Sequence, residues 1–145
     1  MYYNTELNFL QEFPVPTGPE WRLATAEDIE QVRNPAPTAA SIAARRYEAE
    51  VAGIHLNGIY IDTSDRSKLL INGTALEATI DPEYTMQWKT PSGFITLTAS
   101  EVVAIARAVR AHVQACFDRE VVLLQALQEG ALTNEMLDQG WPESQ

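Results

Sequence analysis

One long segment, Thr98–Glu129, combines a continuous helical hydrophobic pattern with the absence of glycine and proline. Its apolar side chains recur every three or four residues, the spacing of one buried helix face; they are Val102, Ile105, Ala106, Val109, Val113, Cys116 and Leu127. The opening sequence, Thr98-Ala99-Ser100-Glu101, is typical of a capping box, and Gly130 is suited to the position after the helix. Such a helix would run roughly 45 Å, so we expect one end to project or to pack outside its own domain.

A second apolar row follows this helix on a neighbouring face. It consists of Phe117, Val121 and Leu124. Large apolar side chains that the buried face does not use favour contact with a partner. We therefore predict that this row binds another polypeptide, either a different protein or a second copy of this chain in a homo-oligomer.

Two further helices are predicted before the long one. Thr38 is a suitable N-cap for a helix through about Ala52, and Gly53 is its terminating glycine. We expect this helix to have an apolar side on the core, formed by Ile42, Ala43, Tyr47 and Val51. We expect the opposite side to be charged and solvated, formed by Arg45, Arg46, Glu48 and Glu50.

The other helix is predicted over Arg66–Thr79. We expect its core contacts to be apolar, namely Leu69, Leu70, Ala75 and Leu76. Gly73 lies inside it and costs about 1 kcal/mol relative to alanine. A turn flanked by two shorter pieces is therefore the alternative.

Two β-hairpins complete the main domain. Residues 54–61 alternate with period two around Asn57-Gly58, and both central residues of a type I′ turn need positive φ. Residues 84–90 and 94–98 are rich in strand formers and are joined by Pro91-Ser92-Gly93. The sequence thus predicts an α+β fold, with two β-hairpins packed with three helices, the last one long and C-terminal, plus a short N-terminal appendage.

The chain ends are predicted to form separate segments. Prolines exclude a helix from the second half of residues 1–19, so we expect an irregular arm that carries aromatic side chains. A short strand over 21–24 and a helix from Thr25 to about Asn34 follow, and Pro35 ends that helix. Phe9, Phe13 and Trp21 are predicted to add to partner binding. The resulting divisions are 1–36, 37–132 and 133–145, the last a short helix and an acidic tail.

Charge and cysteine usage narrow the class of function. Twenty acidic and ten basic residues give a net charge of −10, which argues against a nucleic-acid partner. The chain has no basic amphipathic stretch and no apolar run of roughly 18 residues, so no membrane partner is expected. The single cysteine excludes an internal disulfide, and the N-terminus lacks a signal-peptide pattern. We expect a cytoplasmic protein.

Three groups of residues are candidates for chemistry. His112, Cys116 and Glu120 share one helix face, where a metal site competes with ordinary packing. Asp62 and Asp65 bracket Ser64, where a carboxylate pair or cation site competes with helix capping. A serine nucleophile would have to pair His55 with Ser64 or Ser92, without a nucleophile-elbow motif.

Packing and capping explain these groups best, so we predict no catalytic residue, no metal and no cofactor. A different class of function is a receptor- or glycan-binding module, because exposed aromatic side chains on hairpins can contact sugars. The residues for that alternative are Tyr60, Tyr84 and Trp88.

Several sequence strings between about Ile42 and Glu120 resemble a domain family of unknown function from tailed bacteriophages and prophages. These strings are Ala44–Glu50, Gly53-Ile54, Ile59–Arg66, Trp88-Lys89 with Gly93, and Val109–Phe117. Such domains look like parts of tail-fibre and tail-fibre-assembly proteins. The resemblance implies a non-enzymatic tail protein that binds a tail-fibre or baseplate protein, as an assembly chaperone or a virion connector. It would be in the host cytoplasm during assembly, with the virion tail as a second location.

Overall fold

The computed structural model describes residues 1–142, and the chain divides into two compact units. The first unit is Met1–Pro37, and the second begins at Thr38. Residues 35–37, which follow the helix that Pro35 was predicted to end, close the first unit. The predicted acidic tail, residues 143–145, lies outside the described residues.

The first unit contains a small antiparallel sheet and one helix. Its strands are β1 (Tyr2–Asn4), β2 (Phe9–Gln11) and β3 (Trp21–Leu23), in the order β2-β1-β3, and its helix is α1 (Ala26–Arg33). The predicted strand at 21–24 and the predicted helix after Thr25 are confirmed. Thr25 and Asp28 form a capping box at the start of α1.

The prediction that residues 1–19 are irregular is wrong. The Asn4 side chain closes a turn by accepting hydrogen bonds from the backbone N–H groups of Glu6 and Leu7, at 3.0 and 2.8 Å. Asn8 adopts a positive φ of 50° and leads the chain back into β2. Strands of three residues are too short to show period-two alternation, so the hydrophobic pattern did not reveal them.

The second unit is an α+β domain, as predicted. Its elements are α2 (Ala39–Glu50), β4 (Ile54–Leu56), β5 (Ile59–Ile61), α3 (Asp65–Ile80), β6 (Thr85–Thr90), β7 (Gly93–Thr98), α4 (Ala99–Gln128) and α5 (Asn134–Asp138). Both hairpins are antiparallel pairs, β4 with β5 and β6 with β7. Asn57 and Gly58 have φ values of 52° and 78°, which fits the predicted type I′ turn.

The long helix α4 begins and ends as predicted. Thr98 and Glu101 form the capping box, and Gly130 has a φ of 71° beyond the last turn. Both α2 and α3 pack along α4. The second half of α4 is packed on one side, where Leu123 and Ala126 are buried, and exposes Val121 and Leu124 on another. The expectation that this end packs outside its own domain stays a prediction.

The hydrophobic core lies between the hairpins, α3 and the first half of α4. Its buried members are Ile54, Ile61, Ile71, Ala78, Leu97, Ala99, Val102, Ile105 and Val109. Because β7 leads directly into α4, the second hairpin and the helix bury their apolar faces in the same core.

The predicted core face of α3 is wrong for its three leucines, although Ala75 packs against the core as predicted. Leu69, Leu70 and Leu76 are exposed, at 74, 60 and 64 %, whereas Ile71 and Ala78 on the opposite side are buried. Apolar residues occur on both sides of this helix, and α4 packs on the side of Ile71 and Ala78. The helix also continues through Gly73, so the alternative of two shorter pieces is wrong as well.

No helix among residues 1–142 combines the length and apolarity needed to cross a membrane.

Candidate functional site

A cluster of charged side chains joins three helices of the second unit. Arg46 and Glu50 lie one turn apart on α2 and form an ion pair. Lys68 of α3 also pairs with Glu50, and Glu120 of α4 accepts from Arg46 Nε at 3.0 Å. We call Arg46, Glu50, Lys68 and Glu120 the charged cluster.

Glu50 is the centre of the charged cluster, and it is only 7 % exposed. A buried carboxylate needs partners for its charge, and Arg46 and Lys68 supply them from two helices. The expectation that Arg46 and Glu50 face solvent is therefore wrong, and Tyr47, expected to face the core, is 46 % exposed.

The outer edge of the charged cluster reaches the start of α3. Asp65 accepts from Lys68 Nζ at 3.0 Å and from the Tyr47 hydroxyl at 2.9 Å. Burial lowers the pKa of Lys68, but its hydrogen bonds to Glu50 and Asp65 outweigh that effect and raise the pKa above its ordinary value. The hydrogen bond from Lys68 lowers the pKa of Asp65, and that from Tyr47 adds to this.

Hydrogen bonds between uncharged groups also hold the C-terminal end of α2, next to the charged cluster. The fully buried Thr63 hydroxyl donates to the carbonyl of Glu50 at 2.7 Å and accepts from the backbone N–H of Gly53 at 2.9 Å. His112 Nε2 lies 2.9 Å from the carbonyl oxygen of Ala49. Because a carbonyl only accepts, this bond requires the proton on Nε2.

In the group of His112, Cys116 and Glu120, His112 and Glu120 bond to residues outside the group, and Cys116 lies next to His112. His112 is bonded to α2, Glu120 to Arg46, and Cys116 Sγ lies 3.9 Å from His112 Nε2. Burial, and then the charge of Glu50, raises the pKa of the Cys116 thiol to about 11. The thiol is therefore protonated near neutral pH. Among residues 1–142, no three His, Cys, Asp or Glu side chains are placed to hold a metal ion.

Ser64 is the N-cap of α3, and Asp62 holds the Ser64 side chain in place. Asp62 accepts from the backbone N–H and hydroxyl of Ser64, at 3.0 and 2.8 Å, and from the hydroxyl of Ser67. The Ser67 hydroxyl, followed by the Ser64 bonds, lowers the pKa of Asp62. The Ser64 hydroxyl in turn accepts from the backbone N–H of Ser67, at the first turn of α3. Capping thus accounts for this group.

The three aromatic residues of the glycan-binding alternative are all half-buried. Tyr84 and Trp88 are half-buried and pack against the core. Tyr60 instead lines an open cleft of about 290 Å³ beside the ring of His55, 5.4 Å between centroids. Ser92 lines the same cleft, but its hydroxyl contacts Thr90 at 3.3 Å, and no hydrogen bond joins it to His55. A sugar platform formed by these three aromatic residues stays a prediction.

The predicted binding row on α4 is exposed in this structure. The exposed fractions of Phe117, Val121 and Leu124 are 42, 62 and 38 %. We call these three residues the α4 row. The Arg46 guanidinium lies 4.5 Å from the centre of the Phe117 ring, so the α4 row begins at the charged cluster. An open surface groove beyond it is lined by Val121 and Leu124 together with Gln125, Gln128 and Glu129.

The first unit carries the other predicted binding residues. Phe9 and Phe13 are 51 and 79 % exposed, and Trp21 is half-buried. The rings of Phe9 and Trp21 meet edge to face, with centroids 6.4 Å apart. Behind them, Arg22 Nη2 donates to Asp28 at 2.6 Å and its guanidinium lies over the Tyr3 ring. The hydrogen bond from Arg22 holds the pKa of Asp28 well below its ordinary value.

Sequence reasoning missed the charged cluster. The four-residue spacing of Arg46 and Glu50 on one helix was the available signal, because that spacing allows an ion pair. The positions of Lys68 and Glu120 depend on how α3 and α4 pack against α2, which local pattern does not give. The strings that carried the family resemblance meet here, since they contain Arg46, Glu50, Thr63, Asp65, His112 and Cys116.

Comparison with known proteins gives a family. A family model described as a domain of unknown function (DUF4376) matches residues 33–139. No curated protein and no solved structure matches the chain. The match includes all of the charged cluster, the α4 row and both hairpins.

Proposed function

The chain belongs to the DUF4376 family, whose description assigns no function, and from this premise we propose a binding function. It is a non-enzymatic bacteriophage tail protein that grips the tail fibre, as an assembly chaperone or as a connector in the virion tail. The bacteriophage setting comes from the sequence resemblance. The binding role comes from the surfaces of the molecule.

The α4 row is the observation that carries the proposal. Its three large apolar side chains lie on a helix whose opposite side is already packed on α2, with Leu123 and Ala126 buried there. The fold therefore does not need the row for its own core. Exposed apolar side chains aligned along one helix suit a groove or helix of another polypeptide.

The charged cluster supports binding rather than catalysis. Its side chains satisfy one another, and no buried side-chain polar atom among residues 1–142 lacks a hydrogen-bond partner. Lys68 is the one cluster member that lines the neighbouring open cleft, of about 300 Å³, together with Val109, Val113 and Phe117. At that cleft, Lys68 suits an acidic group of a partner peptide, and the apolar side chains suit an apolar segment. The cluster acts as a rigid joint that fixes α4 for binding.

The aromatic pair of the first unit is proposed as a second contact. Phe9 and Phe13 expose large ring surfaces, and Trp21 supports Phe9. Aromatic anchors of this kind carry much of the energy of protein interfaces. We assign these residues to the same partner but make the α4 row the primary contact.

Co-expression with the neighbouring tail-fibre gene tests this proposal. We expect the fibre protein to become more soluble and to co-elute with this chain in gel filtration. The double substitution Val121→Glu with Leu124→Glu should abolish the complex, because it places two carboxylates in an apolar contact. Ala115→Glu is the matched control, since Ala115 is an exposed α4 position on another side of the helix.

Two outcomes would overturn the proposal. One is an unchanged fibre solubility with no complex in gel filtration. The other is a complex that survives the double substitution as well as it survives the control. Mass spectrometry of purified virions then distinguishes a connector, which stays in the particle, from a chaperone, which leaves it.

A further inference from the structure

A second exposed apolar face lies along α3, on the side opposite Ile71 and Ala78. Leu69, Leu76 and Ile80 are exposed there at 74, 64 and 70 %. With Gly73 they follow a spacing of four, three and four residues, which places all four on one straight line along the helix. We call Leu69, Gly73, Leu76 and Ile80 the α3 row.

Gly73 lies at the centre of the α3 row, and no contact among residues 1–142 explains why this position is a glycine. A methyl group added there would meet no other atom of the chain within 4 Å. Glycine in the middle of a helix is less favourable than alanine, so its presence calls for a different explanation. Its missing side chain lets the backbone of another helix approach closely at this point.

The charged residues beside the α3 row are complementary to the same residues of a second copy of the chain. Arg66 and Glu77 lie on the same flank of the row, three turns apart, and neither joins an ion pair within residues 1–142. If two α3 helices pack antiparallel about an axis at Gly73, Arg66 of each helix lies level with Ile80 of the other, about 4.5 Å along the axis from Glu77, a separation that the two long side chains can span. Leu69 of each helix then lies between Leu76 and Ile80 of the other. A symmetric dimer requires a surface of this self-complementary kind.

We propose that two copies of this chain pair through their α3 rows, antiparallel, with Gly73 at the crossing point. The net charge of −10 opposes association of two copies, and the reciprocal Arg66–Glu77 contacts offset part of that repulsion locally. The dimer uses none of the α4 row. Self-association and binding of the fibre can therefore fail or succeed independently.

Sedimentation equilibrium of the full chain over a dilution series tests the pairing. We expect a monomer–dimer equilibrium that Leu76→Glu weakens by roughly 100-fold or more, because each substitution enters a symmetric interface twice. Val122→Glu, at an exposed apolar position outside both rows, is the control and should leave the equilibrium unchanged. A chain that is monomeric at every concentration, or a dimer that Leu76→Glu leaves intact, overturns the proposal.

Charge reversal tests the arrangement of the two helices. Arg66→Glu and Glu77→Arg should each weaken the dimer by about 10-fold, and the two together should restore it to within about 3-fold. Arg110→Glu, an exposed charge reversal on α4, is the matched control. A double variant as weak as the single ones overturns the antiparallel pairing. These exposed positions also keep the test valid if Leu76→Glu fails to fold.

Gly73→Gln tests the close approach. It should stabilise the isolated helix, because glutamine has the higher helix propensity, and yet weaken the dimer. Circular dichroism melts and sedimentation of the same sample measure the two effects. A variant that gains helix stability with an unchanged dimer overturns the placement of Gly73 at the crossing.

Discussion

The two halves of α4 have the same helical geometry but different surroundings. In residues 99–113 the outward positions are small or charged, such as Ala104, Arg107 and Arg110, and the inward ones fill the core. In residues 114–128 one side is packed on α2, while Phe117, Val121 and Leu124 face outward. The first half is amphipathic in the way that stability requires. The second half carries more apolar surface than its own unit buries, and this excess is what a binding function would use.

The largest expected difference between the halves comes from truncating one apolar side chain in each. Ile105→Ala in the buried core should lower the free energy of unfolding by about 2–5 kcal/mol, because it leaves a cavity. Val121→Ala should change it by less than about 0.5 kcal/mol in the isolated protein. Urea unfolding followed by circular dichroism measures both. Similar losses for the two variants would mean that the second half is buried in solution.

The charged cluster offers the next largest effect. Glu50→Gln should cost about 2–3 kcal/mol, because Arg46 and Lys68 lose the charge that compensates their burial. Glu48→Gln is the control, since its exposed pair with Arg45 should be worth less than about 0.5 kcal/mol. Urea unfolding gives the loss. Equal losses for both variants would contradict the central role of Glu50.

The labelling rate of Cys116 shows whether the stability lost in Glu50→Gln is confined to the region of the charged cluster. Its side chain is fully buried in the second half of α4, and its raised pKa keeps the thiol protonated. Because only an exposed thiolate reacts quickly with disulfide reagents, Glu50→Gln should speed labelling of Cys116 in native buffer. If labelling of Cys116 accelerates no more than in a core variant of equal stability, the charged cluster does not open separately from global unfolding.

Capping threonines give a smaller contrast. Thr98→Ala should cost about 1 kcal/mol, because it removes the hydroxyl that accepts from Glu101 at the start of α4. Thr133 caps α5, a helix of five residues with no buried member. Thr133→Ala should therefore lower the global free energy of unfolding less than Thr98→Ala does. It should nevertheless loosen α5, which lies beside the second half of α4. Hydrogen exchange of α5 and urea unfolding distinguish the two cases.

The smallest expected effect is the dependence of stability on pH. The backbone and hydroxyl bonds of Thr98 lower the pKa of Glu101, and the Lys68 bond lowers that of Asp65. Because both folded-state values lie below the unfolded ones, their stabilisation is complete above the ordinary values, 4.5 and 3.8. It is lost as the pH falls through the lower folded values. Glu101→Gln and Asp65→Asn should each flatten the acid limb of the unfolding free energy, and an unchanged limb would contradict the assignment.

Local chemistry allowed most of the fold to be predicted from the sequence. Thr98 with Glu101, Asn57-Gly58 and Gly130 mark element boundaries through bonds and φ values that involve only near neighbours. Failures occurred where tertiary packing decides. In α3, apolar residues on both sides of the helix gave no way to choose between Leu69 and Ile71 as the buried face. In α2, the charge of Glu50 predicts exposure, but Glu50 is buried because Arg46 of the same helix and Lys68 of α3 compensate its charge.

The candidate site was predictable only in part. The α4 row could be predicted because the buried face of the same helix was recognisable, which left Phe117, Val121 and Leu124 over. The α3 row was not predicted, because its leucines were assigned to the core. The short strands of the first unit left no periodic signal. Their turn depends on a side-chain contact of Asn4 that spacing does not show.

The position of the Glu50–Lys68 pair has a consequence for helix electrostatics. Glu50 is the last residue of α2, where the macrodipole disfavours an anion, and Lys68 ends the first turn of α3, where it disfavours a cation. The reversed pair would agree with both macrodipoles, but it would place a cation against Arg46. Arg46 therefore determines that α2 contributes the anion and α3 the cation. The partial charges of the two helix ends are opposite, so each end offsets the field of the other.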